Sequence, residues 1–78
     1  MGPWYNSRVT RRFGRYVVTA LPRALADGSG WLADFSLEEH SGSHVDDRMY
    51  FGTKVYESKK IATEVCFISG QRVIAQIT

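Results

Sequence analysis

The chain has 78 residues, 10 Lys and Arg against 8 Asp and Glu, 44% hydrophobic residues and a single cysteine. That length allows one domain with a modest core. One cysteine excludes an intrachain disulfide and a Cys-rich zinc site, and no apolar run approaches the ~18 residues of a membrane span.

The small net charge of +2 hides a strong asymmetry. Residues 1–25 hold Arg8, Arg11, Arg12, Arg15 and Arg23 and no acid. Residues 26–50 hold Asp27, Asp34, Glu38, Glu39, Asp46 and Asp47 against Arg48 alone. Such a layout suits either intramolecular pairing or a basic arm for an anionic partner. The N-terminus has no apolar core of a signal peptide, so a cytoplasmic protein is expected.

Residues 1–12 show no clear periodicity and read as a basic N-terminal arm. Trp4 and Tyr5 are large for a free tail. Residues 13–78 read as one domain. Phe13 to Leu21 alternates as a strand, with Tyr16, Val18 and Ala20 on one side and Val17, Thr19 and Leu21 on the other. Pro22 stops it, and Asp27-Gly28-Ser29-Gly30 closes a turn region. Trp31 to Glu38 is the clearest strand, with Trp31, Ala33, Phe35 and Leu37 alternating with Leu32, Asp34, Ser36 and Glu38. A turn around Ser41-Gly42 leads into a third strand, His44 to Phe51. There Val45, Asp47, Met49 and Phe51 share a side.

Ser58 to Ile77 is the only stretch long enough for a substantial helix. Ser58 is a suitable N-cap, although Ile61 lacks the side chain of a capping box and two lysines oppose the helix dipole in the first turn. Ile61, Ala62, Val65, Cys66, Ile68, Ser69 and Val73 fall on one broad arc at 100° per residue. Cys66 on that arc reads as a buried, inert thiol. Gly70 either sits inside one long helix, at about 1 kcal/mol relative to Ala, or ends a shorter helix before a last strand. Val73, Ile74 and Ile77 favour the long helix. Layer logic then gives an α+β fold: a three-stranded antiparallel meander packed against one C-terminal α-helix, β-β-β-α. Trp31, Phe35, Leu37, Met49 and Phe51 would face the helix, and Asp34, Ser36, Arg48 and Tyr50 would face outward.

Thr63, Phe67, Gly70, Ile74 and Ile77 form a second stripe on that helix, at spacing 4-3-4-3. Its cover would be Trp4 and Tyr5 folding back, or an identical helix across a two-fold axis with Phe67 as anchor, or a different protein. The expected function is a non-enzymatic binding or assembly module, forming a homodimer through this stripe. The alternative is a nucleic-acid-binding module using Arg8, Arg11, Arg12 and Arg15 and the sheet; Asp34 and Glu38 on the outer face would repel phosphates.

His40 and His44 lie among Glu38, Glu39, Asp46 and Asp47, but His-x-x-x-His converges on a metal only within a helix, and here it spans a turn. No metal ligand, cofactor or small-molecule substrate is expected. Ser41 and Ser43 lack an oriented base, and Gly28-Ser29-Gly30 precedes a strand rather than a phosphate-binding helix. No catalytic residue is assigned.

The succession of a strand ending in Leu21-Pro22, then Trp31-x-Ala-Asp-x-Ser-Leu-Glu, an Asp/Gly/Ser turn, Phe51, Tyr56, a helix with Ala62, and Gly70-x-Arg72-x-Ile74 resembles a family of small uncharacterised bacterial proteins. The resemblance covers about three quarters of the chain and implies a β-meander followed by a helix, with no assigned activity. The chain departs from it at Lys59-Lys60, where such proteins often carry acidic residues.

Overall fold

Two Gly-X turns set the register of the main sheet. In the computed structural model, which describes residues 8–78, β1 (Val9–Phe13) and β2 (Tyr16–Ala20) pair antiparallel with Phe13 opposite Tyr16. Gly14-Arg15 is their two-residue loop, and Gly14 has φ 63°. β3 (Arg23–Ala24) and β4 (Trp31–Leu32) follow, then β5 (Phe35–Ser41) and β6 (His44–Tyr50), joined by Gly42-Ser43 with Gly42 at φ 61°. In both loops only the first residue has positive φ, as in the type II′ turn that matches strand twist. β7 (Val55–Tyr56) and helix α1 (Lys59–Ile77) complete the fold.

The architecture is α+β, but among the described residues the expected three-stranded meander is replaced by seven strands in two antiparallel sheets, β1-β2-β5-β6 and β3-β4-β7. Two causes account for the difference. Residues 9–12, expected in the basic arm, form most of β1. The expected strand from Trp31 to Glu38 is broken at Ala33-Asp34, so its first part pairs with β3 and β7 and its second with β2 and β6. Residues 1–7 of the expected arm, with Trp4 and Tyr5, lie outside the described residues.

Asp34 holds this break. It is 3% exposed, not on the outer face as alternation suggested. Its carboxylate accepts from Arg23 Nε at 2.7 Å and from the Gly52 amide at 2.8 Å. Its carbonyl accepts from the Leu21 amide at 2.9 Å and from the Cys66 thiol at 3.0 Å. One residue thus ties both sheets, the loop after β6 and the helix together. A buried charge is tolerated when it is paired and hydrogen-bonded in this way.

The helix is continuous through Gly70. The Ser58 hydroxyl accepts from the Ile61 amide at 3.1 Å, which caps the first turn. Ala62, Cys66, Phe67 and Gly70 are buried against Tyr16, Val18, Ala20, Phe35 and Leu37. A Cβ on Gly70 would stand 2.8 Å from Val18 Cγ2, so the absent side chain lets the helix rest on β2. Burial pushes the Cys66 thiol pKa up, in keeping with a packed, unreactive group.

Candidate interaction surface

The sequence-predicted stripe does not form a free face. Phe67 is 1% exposed and Gly70 is buried. Ile74 packs at the core margin, and Thr63 is half-buried with its hydroxyl donating to the Lys59 carbonyl at 2.8 Å. Only Ile77 is exposed. The cover is β1. Arg11 stands opposite buried Val18 on the helix side of the sheet. Its guanidinium lies 4.2 Å from the Phe67 ring centroid and its Nη2 is 3.6 Å from Glu64. A sheet one strand wider than expected therefore shelters the second stripe.

The buried arc lies between the two stripes read from the sequence. As a result Ile61 and Ile68, expected in the core, are exposed. With Val65 they form an apolar line at i, i+4, i+7.

That line borders a groove of about 280 Å³. Val65, Ser69 and Val73 of α1 form one wall, and Phe35, Tyr50, Phe51 and Tyr56 form the other. Phe51 is 68% exposed on its rim. Sequence alternation placed Met49 and Phe51 against the helix and Tyr50 outward. The Gly42-Ser43 loop reverses Met49 and Tyr50, because Ser41 opposite His44 fixes Tyr50 opposite Phe35. Tyr50 then stacks on Phe35 at 5.0 Å between centroids, and Arg48 stands opposite buried Leu37. Met49 turns to the outer face opposite Ser36.

The groove opens beside the bare edge of β6. Among the described residues, no strand pairs with that edge, and six of its seven residues are exposed. The remaining side of the main sheet, away from α1, carries Thr10, Arg12, Val17, Thr19, Ser36, Glu38, His40, Val45, Asp47 and Met49.

The four arginines are not gathered on one surface. Arg11 and Arg12 alternate to opposite sides of β1. Arg11 is engaged by Phe67 and Glu64, and Arg15 lies 4.0 Å from Glu39. Arg8 is exposed just before β1. The two histidines also diverge: His40 lies 3.0 Å from Glu38 on the outer face, and His44 lies 3.3 Å from Asp46 on the helix side. Among the described residues, no three His, Cys, Asp or Glu side chains are grouped to hold a metal, and no helix is long and apolar enough to cross a membrane.

No family model, curated protein or solved structure matches the chain. The groove and the β6 edge were missed by sequence reading, although Gly42-Ser43 carried the register that exposes them.

Proposed function

We propose that this chain is a non-catalytic assembly module that works by associating with a second copy of itself. The observation that carries the proposal is Phe51, 68% exposed just past the end of β6, whose outer edge is unpaired among the described residues. Burying a side chain of this kind gains about 1.5–3 kcal/mol. Phe51 is not isolated: the groove beside it and the Ile61, Val65 and Ile68 line make one apolar tract, the surface character that marks interaction sites. A two-fold contact needs only one self-complementary patch. Here the projecting Phe51 and the groove beside it make up that patch. The C-terminal helix contributes through Ile61 and Ile68 rather than through Phe67.

Sedimentation velocity over a concentration series tests this. The native chain should move from monomer to dimer mass as concentration rises into the high micromolar range. Phe51→Glu should remain monomeric with an unchanged circular-dichroism spectrum. A native chain that stays monomeric throughout rejects the proposal.

A further inference from the structure

We infer that the second copy docks edge to edge along β6, antiparallel, about a two-fold axis through Asp47. This geometry rests on the self-association proposed above and specifies how it is made.

The backbone of β6 dictates which groups are available. A two-residue hairpin closes on a hydrogen-bonded pair, here Ser41 and His44. Hydrogen-bonded and open pairs alternate along an antiparallel ladder, so His44, Asp46, Arg48 and Tyr50 bond to β5. The amide of His40 donates to the Arg15 carbonyl at 2.8 Å, which confirms that the even residues of β5 turn to β2 and its odd residues to β6. The peptide groups of Val45, Asp47 and Met49 therefore point away from the sheet. The register is continuous from Phe35 opposite Tyr50 to Ser41 opposite His44, and β6 contains no proline. Neither a proline nor a break in register interrupts a further ladder along the strand.

The side chains select one register. With Asp47 on the axis, Asp46 faces Arg48 of the partner subunit and Arg48 faces the partner's Asp46. Both pairs sit on the helix side at open positions, where opposing side chains are closest. On the outer face Val45 meets the partner's Met49, and Met49 the partner's Val45. Tyr50 lies opposite the partner's His44, so the partner's Gly42-Ser43 turn comes beside Phe51 at the groove rim. Sliding by two residues places Asp46 against the partner's Asp46 in one direction and Arg48 against the partner's Arg48 in the other. Such like-charge pairs are unfavourable. The charges on this edge thus disfavour pairing in general and permit it in one frame, at the cost of Asp47 facing its own copy on the outer face.

Charge reversal tests the register on the intact chain. These side chains are exposed, and the altered chains keep the native core. Asp46→Arg alone and Arg48→Asp alone should each weaken dimerisation about tenfold or more, since symmetry converts two attractive pairs into repulsive ones. The double reversal should recover the native affinity, and Asp47→Asn should strengthen association. As a second readout, Asp47→Cys should form a covalent dimer on mild oxidation, because directly opposed residues lie within disulfide reach at about 5.5 Å. Val45→Cys should not, its two copies being about 13 Å apart along the strands. A dimer that neither recovers on double reversal nor cross-links at position 47 overturns the register but leaves self-association standing. A native chain that never dimerises removes both.

Discussion

Asp34 shows why a single side chain can be misplaced by periodicity alone. Between Ala33 and Phe35 its parity points outward, and a carboxylate on a solvated face is the ordinary case. What draws it inward are groups distant in sequence: Arg23, the Gly52 amide and the carbonyl contacts of Leu21 and Cys66. No local pattern announces them. Removing the carboxylate leaves the Gly52 amide and one side of Arg23 without their partner. Asp34→Ala should therefore cost about 2–4 kcal/mol, measured as a lower urea midpoint at unchanged slope. A change below about 0.5 kcal/mol would place the hub outside the stability-determining contacts.

At the level of elements, the helix was legible because its signals are local. Ser58 caps it and Lys59–Ile77 forms it, with no proline to stop it. The alternation of Phe35 and Leu37 also identified the buried side of β5, whereas that of Tyr16, Val18 and Ala20 separated the two sides of β2 without marking the buried one. β1 was hidden by its composition, since Val9–Phe13 carries two arginines and four of its five residues are exposed. Its one clear signal was Gly14-Arg15, the same Gly-X turn as Gly42-Ser43. β6 was inverted for a different reason. Val45, Met49 and Phe51 outweigh Tyr50 by hydrophobicity, but a shift of one residue flips a whole strand, and the turn decides. The helix rests on β2 at Gly70, where helix propensity and packing oppose each other. Gly70→Ala gains about 1 kcal/mol of propensity, while a methyl 2.8 Å from Val18 Cγ2 and 3.0 Å from Cγ1 overpacks a fully buried site, typically at about 1–3 kcal/mol. The net expectation is destabilisation by about 1 kcal/mol, and Val18→Ala in the same chain should cost less than the separate losses imply. A stabilised Gly70→Ala chain in a urea titration would refute close packing there.

Over the whole molecule, part of the charge asymmetry resolves into contacts. Arg23 meets Asp34, Arg15 approaches Glu39 and Arg11 reaches Glu64. The exposed pairs contribute little stability individually; Arg23 with Asp34 differs because its acid is buried. Of the stripe that sequence reading offered as an interface, Phe67 and Gly70 are core and only Ile77 is exposed, and the apolar tract now proposed in its place was invisible until the sheet's width and β6's register were set. The two phenylalanines separate these roles. Phe67→Ala should destabilise the chain by about 3–5 kcal/mol, whereas Phe51→Ala should leave the unfolding midpoint of the monomer nearly unchanged and weaken association. Thermal melts at low concentration beside sedimentation at high concentration would distinguish them; similar melts for both variants would contradict this division.

The position of α1 after every strand has a consequence for biosynthesis. Tyr16, Val18, Phe35 and Leu37 acquire their cover only once the segment through Ile77 exists. At roughly 5–20 residues per second, translating those 19 residues takes about 1–4 s. One whole face of the sheet therefore depends for its cover on a segment made after every strand, and a chain cut short after Ser58 should fail to hold that sheet.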